Sequence, residues 1–185
     1  MVDPPDDLPA EIVAYTIELG SPAEAGRLRR IERAAGARFR EIGMGDIADG
    51  DVTPEAILED RALNGRLILA RDGAGQAAGF LIWSPKDAAA YIEEVSVHPD
   101  HAGHRLAARL IDRLGDEVRG RYDDLSLTTF RDVPWNAPYY ARLGFIERDG
   151  GELGPEHGET WRSQAGSLDM SRRLFMTRPV GAARS

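Results

Sequence analysis

The stretch from residue 90 to residue 130 constrains this chain most. "AYIEEVSV" (90–97) and "DLSLTTF" (124–130) have the composition and alternation of strands, while Leu106, Leu110, Leu114 and Val118 recur between them at helical spacing. A strand, a helix and a strand in succession make a crossover, so the two strands are expected to lie parallel or nearly so. The helix is expected to end near Gly120.

Other elements gather around that unit. "AYTIEL" (14–19) alternates as a strand, and Ser21, Pro22 and Glu24 spell a capping box that opens a helix with Leu28, Ile31, Ala35, Phe39 and Ile42 on one stripe. Thr53-Pro54-Glu55 starts a shorter helix that stops at Asn64-Gly65. "RLILARD" and "QAAGFLIWS" flank "GAG" as an antiparallel hairpin. "APYYARLGF" reads as a short helix closed by Gly144, with Phe145 opening a strand, and "RRLFMTRPV" supplies the last strand. Residues 149–167, rich in Gly and Glu without a clear period, are expected to be a long surface loop with His157 exposed. With 185 residues and no internal repeat, the expected organisation is a flexible segment 1–13, one domain over 14–180 and a tail 181–185.

Charge and composition narrow the function classes. The net charge of -8 disfavours nucleic acid and favours a cationic partner. No apolar run approaches the roughly 18 residues of a membrane helix, so no membrane span is expected. "MVDPPDDLPAEI" lacks the features of a secretory signal, which points to the cytoplasm. Absence of cysteine excludes disulfides, thiolate nucleophiles and Cys-based zinc sites. His98, His101 and His104 are spaced by three in one loop with no carboxylate arranged to complete a metal set, so they are expected to be solvated and no metal is expected.

"VSVHPDHAGHRLAARL" (95–110) carries the first chemical signal. An apolar strand passes through a Pro turn and a small-residue loop into a helix whose free N-terminal amides and dipole suit an anion, with phosphate the usual guest. Alone, the stretch also fits an ordinary strand-to-helix connection.

"EEVSVHPDHAGHRLAARLIDRL", followed by "NAPYYARLGF", resembles the acetyl-CoA-binding core of the GNAT superfamily of N-acetyltransferases, and the order of elements over about 14–180 is similar too. The resemblance implies an α/β fold: a mixed, mostly antiparallel central sheet, helices on both faces, and a splayed parallel strand pair that holds the cosubstrate, acetyl-CoA. It implies that Val95 and Val97 bracket the thioester and pantetheine, and that Ala102, Gly103, His104, Arg105, Leu106 and Ala107 form the phosphate loop. Ala102 stands where the family has Gln or Arg, and Arg105 where it has glycine. Tyr140 takes the place of the family's general acid toward the leaving thiolate, and Asn136 that of a pantetheine contact.

An amine acceptor also needs a base. Strict alternation along "YIEEVSV" puts Tyr91, Glu93 and Val95 on one face and Ile92, Glu94 and Ser96 on the other unless a bulge intervenes, so Glu93 is the expected base and Glu94 a partner for Arg or a backbone amide. The expected activity is direct acetyl transfer, in a ternary complex, to a small-molecule or peptide amine of cationic character. The alternative is a noncatalytic acyl-CoA-binding or partner-binding domain on the same scaffold. Family members often pair through their last strands, so a homodimer is a further expectation.

Overall fold

A computed structural model describes residues 14–149 and 152–181; the expected flexible segment 1–13 and residues 182–185 of the expected tail lie outside the described residues. The described strands are β1 (Thr16–Leu19), β2 (Leu67–Arg71), β3 (Ala77–Lys86), β4 (Ala89–Val97), β5 (Asp124–Phe130), β6 (Ile146–Arg148) and β7 (Arg173–Pro179). They form one sheet in the order β1-β2-β3-β4-β5-β7-β6. β4 and β5 pair in parallel, as the crossover demands, and the other pairings are antiparallel.

Helices cover both faces because their stripes differ. The crossover helix, Leu106–Val118, buries Leu106, Leu110, Ile111, Leu114 and Val118 against Ile68, Leu81, Ile92 and Leu125. On the opposite face α1 (Ala25–Gly36) and a helix over Glu55–Leu63 bury Leu28, Ile31 and Leu58 against Leu67, Leu69, Phe80 and Ile82. Between these two lies α2 (Gly45–Ala48), so Glu55–Leu63 is α3 and Leu106–Val118 is α4. The capping box at Ser21 is present, although it caps a 3-10 turn that runs into α1. The predicted stripe fails past Gly36: the chain tightens into a 3-10 segment, Phe39 joins Met44, Phe130, Val133 and Trp135 in a separate cluster, and Ile42 is exposed.

The expected loop 149–167 contains a helix. After α5 (Ala137–Arg142), residues Pro155–Gln164 form α6, and His157 on it is buried rather than exposed. His157 and Trp161 lie over Phe175 at ring distances of 5.6 and 5.1 Å. Asp87, in the β3–β4 turn, holds the front of α6: its carboxylate accepts the amides of Glu156 and His157 and the Nδ1–H of His157 at 2.6 Å. Nε2 of the same ring, left as an acceptor, takes the Ser126 hydroxyl at 2.9 Å.

Candidate functional site

β4 and β5 share the rungs Ala89↔Asp124, Ala90↔Leu125 and Tyr91↔Ser126, and past them the strands part. A cleft opens between residues 92–97 of one strand and 127–130 of the other. Along β4 the His98 amide donates back to Ala78 on β3, so by the alternation of a ladder Val95 and Val97 turn their backbone groups toward the cleft. Their side chains pack on the α4 core.

A bulge in β4 changes which carboxylate faces what. Ile82 pairs with Glu94 but Trp83 pairs with Ile92, leaving Glu93 as the extra residue. Ile92, Val95 and Val97 therefore share the α4 face, while Tyr91, Glu94 and Ser96 share the other. Glu93 is not the face-mate of Val95 that strict alternation predicted. Its carboxylate is held by Arg61 of α3 in a two-point pair, Nε and Nη2 each 2.9 Å from an oxygen. Glu94 takes the Ser96 hydroxyl at 2.7 Å and the Val95 amide. Burial and the neighbouring charge of Glu32 on α1 push its carboxyl up to about 7, so it exchanges a proton near neutrality.

The phosphate-loop residues follow β4 through a 3-10 turn at Pro99–His101. Gly103 and Arg105 are both left-handed, at φ 83° and 55°, and Leu106 begins α4. Among the described residues, the amides of Gly103, His104, Arg105, Leu106 and Ala107 make no backbone hydrogen bond, which leaves a row of donors with the helix dipole behind them. Ala102 is spent differently, donating its amide to Pro99. His101 is less solvated than expected, its Nδ1 meeting the Tyr15 hydroxyl at 2.9 Å, whereas His104 is exposed, with its ring 5.1 Å from that of Tyr15.

On the cleft's far side, α5 presents Tyr140 within electrostatic reach of Glu94 and against Phe145. Burial, then the charge of Glu94 and the neighbouring Tyr139, hold the Tyr140 phenol protonated well above its ordinary range. Tyr139 points elsewhere, its oxygen accepting the Ala108 amide of α4, as adjacent helical positions require. Asn136 is the N-cap of α5 through its carbonyl, which accepts the amides of Tyr139 and Tyr140.

Sequence reasoning missed Glu32, Thr128, Gln164 and Arg173. Tyr91 and Thr128 hydroxyls meet at 2.9 Å across the closed end of the cleft, Gln164 of α6 donates to Thr128 at 2.9 Å, and Arg173 of β7 donates to it at 2.9 Å. Glu32 accepts the Thr53 amide and hydroxyl. These residues come from α1, β5, α6 and β7, and only the cross-strand register Phe130↔Arg173 brings the last to the site.

Residues 64–147 match the family described as acetyltransferase (GNAT) domain. Among solved structures, N-acetylglutamate synthase from Neisseria gonorrhoeae, complexed with coenzyme A and N-acetyl-glutamate, superposes with a TM-score of 0.70 at 13% identity over 94% of this chain. The chain spans 37% of that protein's length. An acetyltransferase of the GNAT family from Staphylococcus aureus gives 0.64 at 18% identity, covering 90% of this chain and 99% of the other. PaiA N-acetyltransferase from Thermoplasma acidophilum, in complex with coenzyme A, gives 0.62 at 11% identity over 90% of this chain and 99% of its own.

Proposed function

We propose that this chain is a GNAT acetyltransferase, on the premise of the domain match over residues 64–147, and that it moves an acetyl group from acetyl-CoA to an amine by direct transfer. The observation that carries this is that Glu94 on β4 and Tyr140 on α5 lie within electrostatic reach of one another, one poised to take a proton and the other holding one. The row of amides from Gly103 to Ala107 holds the pyrophosphate, and the arm lies along Val95 and Val97 in the cleft. Asn136, the N-cap of α5, serves as a further contact to the pantetheine arm in this reading.

Glu94, in place of Glu93, accepts a proton from the acceptor's ammonium. The freed nitrogen attacks the thioester carbon, whose oxygen draws on the Val97 amide at the open strand edge. The C–S bond breaks as the N–C bond holds, and Tyr140 gives its proton to the departing thiolate. The second nitrogen proton returns to the phenol, so one amide, one CoA thiol and one proton released through Glu94 balance the reaction. Glu93 holds Arg61, and with it α3, against the acceptor side of β4.

Acetyl-CoA is titrated by calorimetry, then acetylation of an amine panel is followed by thiol release and product mass in the parent and in Tyr140→Phe. Tyr140→Phe is expected to bind acetyl-CoA as the parent does and to lose about a hundredfold or more in kcat. Parent protein that binds acetyl-CoA and acetylates no amine is a binding module on this scaffold.

A further inference from the structure

The donors at the closed end of the cleft do not balance. Thr128 Oγ1 accepts N–H groups from Gln164 Nε2 and Arg173 Nη2, each at 2.9 Å, which uses both of its lone pairs. Its own proton must therefore go to the Tyr91 oxygen, 2.9 Å away, an oxygen that also faces Gln164 Nε2 at 3.4 Å. The Tyr91 proton is left unspent on a buried phenol. Arg173 is in the same position: Nη2 also reaches Gln164 Oε1 at 3.2 Å, but Nε is buried without a partner, and no carboxylate among the described residues lies within ion-pair distance. The guanidinium sits 4.6 Å over the Phe130 ring, which fixes its plane without neutralising it. Of the other charges nearby, Glu93 is paired with Arg61, Lys86 lies over the Tyr91 ring, Glu94 is the base proposed above, and Glu159 of α6 lines the pocket beside Tyr91 and Gln164.

A half-buried guanidinium and a buried hydroxyl with unspent protons leave a desolvation cost that an anion would recover. Arg173 and Glu94 are within electrostatic reach of each other, one cationic and one anionic, on the acceptor side of β4. A compact zwitterion fits that pair, with its ammonium at Glu94 and its carboxylate against the guanidinium charge of Arg173. We propose that the acceptor is a free amino acid, whose carboxylate is held by Arg173 and the Tyr91 hydroxyl while its amine is presented to Glu94. This rests on the acetyltransferase function proposed above and narrows its amine to one carrying an adjacent carboxylate.

The experiment compares L-amino acids with their amides and their decarboxylated amines as acceptors, in the parent, Arg173→Lys and Arg173→Gln, with acetyl-CoA affinity and melting temperature followed throughout. In the parent, the best amino acid is expected to exceed its amide in kcat/KM by about tenfold to a hundredfold. Arg173→Gln is expected to erase that preference, chiefly by raising KM for the acid, with acetyl-CoA affinity unchanged. Arg173→Lys keeps the charge and folds with the same strand, so it is expected to retain part of the preference. A purely structural role for Arg173 moves the melting temperature and leaves the acid-to-amide ratio alone, which overturns the proposal. Equal use of acid and amide by the parent overturns it as well while leaving the transferase function standing. Binding of acetyl-CoA without acetylation of any amine sinks both.

Discussion

Glu94 is the residue whose environment departs furthest from what its neighbours in sequence suggest. A carboxyl held at about 7 against an ordinary 4.5 keeps a proton in the folded chain that the unfolded chain has given up. Stability conferred by this site is therefore expected to fall as pH rises through that window and to level off above about 7; Glu94→Gln removes the slope, which a series of melts across the window reads. With Glu94 as the proposed base, activity is expected to move the other way, since only the ionised form accepts an ammonium proton. kcat/KM is expected to climb with pH and flatten above about 7 in the parent, and Glu94→Gln to lose that limb together with about 10²–10⁴ of kcat. Arg105 offers a second test at the same scale. A side chain at φ 55° costs about 1–2 kcal/mol, of which the extra chain entropy of a glycine returns about 0.5–1. Arg105→Gly is thus expected to raise ligand-free stability by up to about 1 kcal/mol and Arg105→Ala not to, while both weaken acetyl-CoA binding about tenfold if the guanidinium meets a phosphate.

Elements, in contrast, were mostly legible before any coordinates. The strand–helix–strand unit, the hairpin and the helix closed by Gly144 all appear where period and caps placed them, because each writes its core face in aliphatic residues. Two features around the site escaped for physical reasons. The β4 bulge shifts the register by one residue between Ile82 and Trp83, and no composition cue separates Glu93 from Glu94, so alternation made Glu93 the face-mate of Val95. α6 hides because the face it turns to the sheet is His157, Trp161 and Gln164, spaced by four and three but polar or aromatic, with Gly158 inside the helix. Of the cleft's residues, Tyr140 and the loop 102–107 were readable as a local motif, while Glu32, Thr128 and Arg173 arrive through tertiary register alone. The Asp87 clamp makes α6 testable. Burial pushes the Asp87 carboxyl up, yet the bonds from His157 and Glu156 outweigh it and hold it below its ordinary value. Asp87→Ala leaves His157 and two helix amides without their acceptor, and is expected to cost about 2–3 kcal/mol of stability. Hydrogen exchange is expected to quicken first across Pro155–Gln164.

At the scale of the whole molecule, β1 to β4 with α1, α3 and α4 make one half, and β5 to β7 with α5 and α6 the other. Among the described residues the sheet joins them through the rungs from Ala89↔Asp124 to Tyr91↔Ser126, with α4 packing across the seam. Above Tyr91 the facing edges of both strands have no partner strand among the described residues, an arrangement that costs stability unless something fills the gap. In the proposed binding mode the pantetheine arm would take the place of the missing rungs, whereas a nucleotide alone would reach only the amides of Gly103 to Ala107. Acetyl-CoA at about 100 times its dissociation constant is expected to add about 2.7 kcal/mol of stability. The pattern of protection matters more than the total. Exchange at Val95, Val97 and residues 127–130 is expected to slow with acetyl-CoA and to stay unchanged with an adenosine phosphate that lacks the pantetheine arm, even when both occupy the loop to the same degree. Equal protection of the two strand edges by both ligands would mean that loop occupancy alone tightens the molecule, and that the arm does not lie between β4 and β5.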